Sequence, residues 1–526
     1  MNSLIYRFSE FAVSVFGKAK VYVTWEQWNS SQKGRASIGP VVEDVGYFMN
    51  KSKLVSGLSV LGLTALAALG AVRAAAAESA SPAHPNVLFI IADQMQADML
   101  SCAGNPYAKT PMLDSLAATG TRFTLTYTAD PVCEPARFSL MTGLMPSRIR
   151  MERNEDDRQA RVNVNPAILA GSLGKVFTRA GYDTVYGGKI HLPMSVEQAG
   201  FKYIQKDEGP KLADTCVNYL RQPHHRPFLM VASFINPHDI CYMALSEADH
   251  PGKITGPKPL LEVTALPAGL TPAQFAAEWP PLPANYAIPE GEPENILSGD
   301  PRAFRLYARE HFTESDWRLH RWAYSRLAEL VDAQIGRVLT ALRETGLDSN
   351  TVVVFTSDHG DMDASHHLEH KSVFYEEAAR VPFIVSWKGV TKPGVVDREH
   401  LVSTGQDLLP TLCDFAGIAA PANLKGRSVR ALAEGRQTAW RETQAAENGE
   451  SRMVRSARYK YVVYAAGARR EFLTDLQADP GEMKNLALDP AFAGVLARHR
   501  QLLIEWYQQN GELLDSKYIV KDTTVK

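Results

Sequence analysis

The sequence predicts an α/β fold in which helices flank a large, mostly parallel β-sheet and a small subdomain follows. Short apolar runs rich in β-branched residues alternate with helical patterns, and this alternation is typical of a parallel sheet. Polar residues stand directly after four of these runs. From about residue 421 a strand with alternating polarity and a closing helix replace that pattern. They predict a small C-terminal subdomain.

Composition limits the classes of protein to consider. The chain has 526 residues, of which 45% are hydrophobic and 22% charged, and these values exclude a disordered, collagenous or coiled-coil protein. The net charge is -2, so no basic excess points to nucleic acid. Five Cys in this length are too few for a disulfide scaffold, so at least one of them is a candidate for a chemical role.

The predicted strands deliver polar groups to one edge of the sheet. The first run ends in Asp93-Gln94, and another ends in Asp358-His359. Because ligands bind beyond the carboxyl ends of parallel strands, we expect the groups that follow these runs to lie together. The remaining two of the four runs lead to Lys189 with His191, and to His238. The predicted strands are residues 86–92, 184–186, 228–234, 351–357 and 381–387, of which the last has no polar cluster after it.

Helices are predicted between these strands. Residues 110–120 begin with Thr and Pro and end at Gly, and residues 166–180 end before Gly181. Residues 317–344 form a long amphipathic pattern. Residues 251–301 hold 11 of the 31 prolines, which predicts a surface excursion and a possible wall of the substrate site.

The N-terminal region predicts export. Residues 54–72 carry no charge, Lys51 and Lys53 precede them, and four alanines follow at 74–77. This order is typical of a secretory signal peptide, predicted over residues 49–77, rather than of a stable membrane span. Residues 1–48 are then a start-site artefact, or alternatively a cytoplasmic tail ahead of an anchor. The signal peptide predicts a periplasmic or secreted protein. Beyond it, we expect a catalytic domain at 86–420 and an α+β subdomain at 421–510.

One motif carries the strongest functional signal. Cys133, Pro135 and Arg137 are followed by Thr142-Gly143, and this spacing resembles the signature of type I sulfatases. Ala136 stands where Ser is commonest in that family. The resemblance implies the alkaline-phosphatase-like fold and oxidation of Cys133 to formylglycine by a formylglycine-generating maturase. The competing interpretation is an ordinary buried Cys.

A cation site is predicted from the oxygen-rich strand ends. Asp93, Gln94, Asp358 and His359, together with the formylglycine at Cys133, suit a hard cation such as Ca²⁺ or Mg²⁺. The alternative is that each Asp caps a helix.

The resemblance also implies roles for the remaining polar residues. His191 would hydrogen-bond the formylglycine hydrate and act as the base that releases sulfate. Lys189, Lys371 and Arg137 would hold the sulfate oxygens. His238, alone or with Lys371, would protonate the departing alcohol.

The motif and the resemblance are consistent with three functions. The first is hydrolysis of a sulfate ester, on a glycan or another sulfated small molecule. The second is hydrolysis of a phosphonate monoester or a phosphodiester with the same formylglycine. The third is a non-enzymatic, secreted binding protein on a sulfatase scaffold. A separate group, Asp361, Asp363, His366, His367 and His370, is equally consistent with a substrate pocket and with an exposed polar loop.

Overall fold

The computed structural model describes residues 13–15, 19–21, 84–154, 164–250, 252–298, 303–512 and 514–521. The chain divides into two units, Met1–Ser81 and Pro82–Lys526. In the first unit, strand β1 (Val13–Val15) pairs antiparallel with β2 (Ala19–Val21). The predicted signal peptide at 49–77 lies outside the described residues, as does most of 1–48. Among the described residues, no helix is both long enough and apolar enough to cross a bilayer.

The second unit is built on an eight-stranded sheet. Its strands are β3 (Asn86–Asp93), β4 (Thr121–Phe123), β6 (Asp183–Gly188), β7 (Lys202–Gln205), β8 (Phe228–Pro237), β9 (Thr351–Ser357), β10 (Phe383–Ser386) and β11 (Val395–Asp397). Their order across the sheet is β11-β4-β10-β9-β3-β8-β6-β7. Of these described strands, only β10 runs antiparallel to its neighbours, so the predicted mostly parallel sheet is confirmed.

Helices cover both faces of this sheet. The described α-helices of the whole second unit are Pro111–Thr119, Cys133–Thr142, Pro146–Ile149, Pro166–Ala170, Leu173–Arg179, Pro210–Leu220, Cys241–Asp249, Lys258–Thr264, Pro272–Ala277, Asn295–Ser298, Ala303–His311, Glu314–Glu344, Glu376–Ala379, Thr404–Ala416, Arg430–Ala433 and Ala493–Gln509. The long helix Glu314–Glu344 begins with a capping box between Thr313 and Asp316. Leu327 and Val331 of its apolar stripe are fully buried in the core that this helix shares with the sheet.

A second, smaller sheet follows toward the C-terminus. Strands β13 (Gln444–Glu447), β14 (Ser451–Arg455), β15 (Tyr459–Tyr464) and β16 (Glu471–Asp475) pair antiparallel in chain order. The helix Ala493–Gln509 packs on this sheet through Leu503 and Trp506. The two-stranded sheet of β5 (Thr126–Tyr127) and β12 (Val402–Ser403) is separate.

Two predicted elements differ from the structure. The helix predicted at 166–180 is two helices, because Ser172 is extended and its hydroxyl donates to the carbonyls of Leu169 and Ala199. The proline-rich segment 251–301 contains three of the short helices above. Two of its prolines, Pro259 and Pro272, stand in first helical turns, where a missing N–H costs nothing.

Candidate active site

Four neighbouring strands bring polar side chains to one edge of the large sheet. β3 ends at Asp93, and Asp358 follows β9 directly. Lys189 follows β6, and His238 follows β8. These four strands are mutually parallel, so their carboxyl ends coincide. The residues predicted from separate runs therefore lie within one buried cluster.

Cys133 occupies the first position of the helix Cys133–Thr142, whose ten residues are all buried. The free N–H groups at a helix N-terminus favour an anion there. Lys371 Nζ donates to Cys133 Sγ at 2.7 Å, and His359 Nε2 lies 3.1 Å from the same sulfur. Burial opposes ionisation of the Cys133 thiol, but Lys371 and Lys189 outweigh it and hold its pKa well below the usual range.

Arg137 is tied to the carboxylates rather than turned toward the cavity. Its Nε donates to Asp358 Oδ2 at 2.7 Å, and its Nη2 donates to Asp93 Oδ2 at 2.8 Å. Its Nη1 donates to Ser233 Oγ at 2.7 Å and to the Lys189 carbonyl at 3.1 Å. All three nitrogens are thus engaged with protein acceptors. This geometry differs from the sulfate clamp expected of Arg137 from the sequence.

The remaining carboxylate oxygens converge on His359. His359 Nδ1 lies 2.9 Å from the Gly360 carbonyl, and because a carbonyl can only accept, Nδ1 carries the proton. In the neutral imidazole, Nε2 presents a lone pair, and it lies 3.7 Å from Asp358 Oδ1 and 4.0 Å from Asp93 Oδ1. Ligand atoms of these residues and Cys133 all lie within 4.8 Å of one another. The donor set fits a divalent cation.

The two carboxyl groups differ electrostatically. Burial and the Cys133 thiolate oppose ionisation of Asp93, but Lys189, His238 and Arg137 outweigh them and hold its pKa well below the usual range. Lys189 Nζ lies 2.6 Å from Asp93 Oδ2. Burial and the negative charge of Asp93 raise the pKa of Asp358. A cation between them would relieve this repulsion.

Two histidines stand at the opening of the cluster. His238 Nε2 lies 4.0 Å from Asp93 Oδ1, and Nδ1 has no hydrogen-bond partner among the described residues. Burial and the positive charge of Lys189 lower the pKa of His238 to about 4, so this imidazole is neutral at pH 7. His191 Nε2 lies 3.9 Å from Glu134 Oε2, and about a third of its side chain is exposed (34%).

The cluster opens into a cavity of about 1280 Å³. Lys189, His191 and His238 line it beside the cluster. Pro257 and Lys258, from the proline-rich segment, also line it. A substrate in this cavity therefore meets both the strand-end residues and the segment 251–301.

Gln94 has partners that differ from those of the expected metal ligand. Its amide oxygen accepts from Lys371 Nζ at 3.1 Å and from Cys241 Sγ at 3.0 Å. Its amide nitrogen donates to Asp361 Oδ2 at 2.7 Å. Lys371 thus contacts both Gln94 and Cys133.

The acidic and His-rich segment 361–370 is not an exposed loop. Asp361, Asp363, His366 and His370 are buried, and His367 is partly buried. None of these five lines the cavity described above. The sequence did not identify Asp361 as a partner of Gln94, nor Ser233 as a partner of Arg137. Ser233 lies inside an apolar strand, and no sequence pattern marked it as a site residue.

Two models of sulfatase families match this chain. The family model described as Sulfatase matches residues 85–418, and the model described as N-sulphoglucosamine sulphohydrolase, C-terminal, matches residues 364–509. The first match covers more than half of the chain and includes every residue of the cluster.

Individual relatives give the same family. The chain is 32% identical over 451 residues to a Delta 4,5-hexuronate-2-O-sulfatase of Bacteroides thetaiotaomicron, covering 80% of this chain and 88% of that one. A solved 2-O GAG sulfatase superposes with a TM-score of 0.69 at 30% identity, covering 83% of this chain and 94% of that chain. The phosphonate monoester hydrolase of Agrobacterium radiobacter (TM-score 0.62, 22% identity, 82% and 97% covered) shares the fold. This chain therefore belongs to the sulfatase family, has its alkaline-phosphatase-like fold, and is a sulfuric ester hydrolase.

Proposed function

We propose that this chain removes sulfate from a carbohydrate, with a formylglycine made from Cys133 as its nucleophile and a divalent cation beside it. The observation that carries the proposal is the position of Cys133, at a helix N-terminus and 2.7 Å from Lys371 Nζ. A thiol has no second hydroxyl with which to expel sulfate, whereas a formylglycine hydrate supplies two hydroxyl groups on one carbon.

The cation would be Ca²⁺ or Mg²⁺. Asp93 and Asp358 would each hold it through a carboxylate oxygen, with His359 and residue 133 completing the set. When bound, such a cation adds positive charge beside an anionic substrate. Gln94, the further ligand expected from the sequence, also accepts a hydrogen bond from Lys371 through its amide oxygen.

The other side chains divide into positioning and substrate-binding groups. Arg137 would fix the spacing of Asp93 and Asp358, since it donates to both. Lys189 and Lys371 would bind the sulfate oxygens, where positive charge stabilises the transition state. His191, at the mouth of the cluster, would take the proton from residue 133.

Two groups were expected to protonate the departing alcohol, and their charges differ. Lys371 is buried beside Cys133, and although burial opposes its charge, the Cys133 thiolate and Asp93 raise its pKa. The charge of Asp93 remains after Cys133 is converted. His238 is neutral at pH 7 because its pKa is about 4. We therefore favour Lys371 as the proton donor, with His238 as a hydrogen-bond partner of the leaving oxygen.

The names of two relatives and the volume of the cavity support a carbohydrate substrate. Two relatives are named as a hexuronate-2-O-sulfatase and a 2-O GAG sulfatase. The cavity of about 1280 Å³ beside His191 and His238 is large enough for a sugar ring. Export to the periplasm or outside the cell, after removal of residues 49–77, and action of a maturase on Cys133 belong to the same proposal.

A substrate screen tests this function. Purified protein with residue 133 converted would be assayed on defined sulfated sugars, choline sulfate, an aryl sulfate and an aryl phosphonate, with Cys133→Ala as the blank. We expect the largest kcat/KM on a sulfated sugar. A preference for the aryl phosphonate would overturn the proposal that the substrate is a sulfate ester. A preference for choline sulfate would overturn the proposal that the substrate is a carbohydrate.

A further inference from the structure

Asp361 is a fully buried carboxylate that lies behind the reacting groups and does not line the cavity. Its Oδ1 accepts from the backbone N–H of Asp363 at 2.7 Å. Its Oδ2 accepts from Gln94 Nε2 at 2.7 Å. The side chain of Gln94, also fully buried, is therefore its main contact toward the active site.

The orientation of the Gln94 amide is fixed from both sides. An ammonium group has three donors and no acceptor, so the atom that faces Lys371 Nζ at 3.1 Å must be the amide oxygen. A carboxylate only accepts, so the atom that faces Asp361 must be the amide nitrogen. Cys241 Sγ, 3.0 Å from the same oxygen, adds a further donor on the Lys371 side. Each neighbour thus selects the same amide orientation.

The backbone of Gln94 is also held in place. Its φ of 67° lies in the left-handed region, which is uncommon for a residue with a side chain. The Tyr324 hydroxyl donates to the Gln94 carbonyl at 2.6 Å, and the Gln94 N–H donates to Asp358 Oδ1 at 3.1 Å. The amide is therefore a rigid link between Asp361 and Lys371.

We propose that Asp361 is a positioning residue that, through Gln94, holds the Lys371 ammonium against residue 133. Lysine carries its charge on a flexible four-carbon stem, so an acceptor is needed to keep Nζ at one place. Gln94 Oε1 is that acceptor, and Asp361 keeps it turned toward Lys371. The inference rests on the proposed roles of Cys133 and Lys371.

Replacing Asp361 should release the amide. In Asp361→Asn, the new side chain can face Gln94 with either its oxygen or its nitrogen, so the Gln94 amide can turn its NH₂ toward Lys371. Two donor groups would then face each other, and Nζ should move away. We expect kcat to fall by about 100-fold, as for other small misplacements of a reacting group. KM should change much less, because Asp361 does not line the cavity.

The reciprocal change should rescue this loss. Gln94→Glu alone places two buried carboxylates face to face and should be as damaging as Asp361→Asn. In the double variant Q94E/D361N, the amide introduced at position 361 donates to the carboxylate introduced at position 94, and that carboxylate accepts from Lys371. We expect the double variant to recover kcat at least about tenfold over either single variant, a non-additivity diagnostic of direct coupling.

Crystal structures of the unmodified proteins supply a readout that does not depend on activity. The Lys371 Nζ to Cys133 Sγ distance, 2.7 Å here, should exceed hydrogen-bond length in D361N and return in the double variant. Gln94→Met, which keeps the volume and removes the amide, should also lengthen it. If D361N does not fold, Gln94→Met and the double variant still decide the question.

The matched control is Asp332→Asn, which alters another buried carboxylate, one that accepts from the backbone N–H groups of Met112 and Leu113. It should lower the unfolding midpoint and leave kcat unchanged. Unchanged kcat and an unchanged Lys371 position in D361N or Gln94→Met would overturn the proposal, as would a double variant no better than the singles. If instead the converted wild-type protein hydrolyses no sulfate ester, the proposed function fails, while the crystallographic distances still test the role of Asp361.

Discussion

The guanidinium of Arg137 and the carboxylate of Asp358 form a fully buried ion pair, with Nε 2.7 Å from Oδ2. The second branch of the same guanidinium reaches Asp93 Oδ2 at 2.8 Å. One planar group therefore sets the distance between the two carboxylates that would hold a cation. A lysine offers a compact point charge on a flexible stem and lacks the planar fork that fixes the two carboxylates at this spacing.

Arg137→Lys tests whether the shape of the Arg137 guanidinium is needed in addition to its positive charge. The positive charge is kept, but the two carboxylates lose their common partner, so the apparent affinity for Ca²⁺ or Mg²⁺ should fall and kcat should drop by about 100-fold. Metal titration by calorimetry and steady-state kinetics measure both. Arg221→Lys, which alters an exposed ion pair with Glu344, is the control and should change neither. Full activity in Arg137→Lys would contradict the positioning role.

Cys133→Ala should abolish turnover while the protein stays folded. The sulfur is buried and small, and its removal leaves the helix that begins at residue 133 intact. Circular dichroism and the unfolding midpoint check the fold. Peptide mass spectrometry on active wild-type enzyme checks the conversion: a fully active protein whose residue 133 is only a free thiol would remove the main support for the formylglycine.

Asp358→Asn should lose bound Ca²⁺ or Mg²⁺ and activity together. The amide keeps the shape of the side chain, but it removes one of the two negative charges beside the cation and leaves Arg137 Nε facing a neutral group. Elemental analysis of the purified proteins measures the metal. The exposed Asp414→Asn is a suitable control. Zinc alone in the native enzyme would contradict the ligand set, since zinc prefers nitrogen and sulfur donors.

Burial of His366 predicts acid sensitivity of the fold. Burial, with the charges of Lys460 and Arg309, lowers its pKa to about 3 from the usual 6.5. The unfolded chain therefore binds a proton below pH 6.5 that the folded chain does not, and stability falls as the pH drops from 6.5 toward 3. At pH 5 the cost is about 2 kcal/mol.

His366→Asn should flatten that pH dependence. Asparagine tolerates the left-handed φ of 56° at this position and does not titrate. The comparison is the free energy of unfolding in urea at pH 7 and pH 5, because any loss of the stacking on Tyr375 affects both pH values equally. The exposed His225→Asn should leave the slope as in the wild type. An unchanged slope in His366→Asn would show that other groups cause the acid sensitivity.

Export predicts the N-terminus of the mature protein. If residues 49–77 are a signal peptide, protein from its native host should begin near Glu78. N-terminal sequencing of the periplasmic and secreted fractions measures this directly. A mature protein that retains residues 1–48 would contradict both the cleavage and the start-site interpretation.

The positions of the central strands β3, β8 and β9 were predictable because each of them is mainly a continuous apolar run. The runs at 86–92 and 351–357 agree with β3 and β9 to within one residue. The run at 381–387 also forms a strand, but its antiparallel direction could not be predicted. Periodicity records whether a strand is buried and carries no information on which neighbour it pairs with.

The sequence alone determined the sulfatase-like motif around Cys133 and the delivery of Asp93, Lys189, His238 and Asp358 to one sheet edge. Both depend on short segments and on the general geometry of parallel strands. Tertiary structure decided the partners: Arg137 binds carboxylates instead of facing the cavity, and Gln94 links Lys371 to Asp361. Lys371 and Gln94 are 277 residues apart, so their contact depends on how distant segments pack, which no local pattern records.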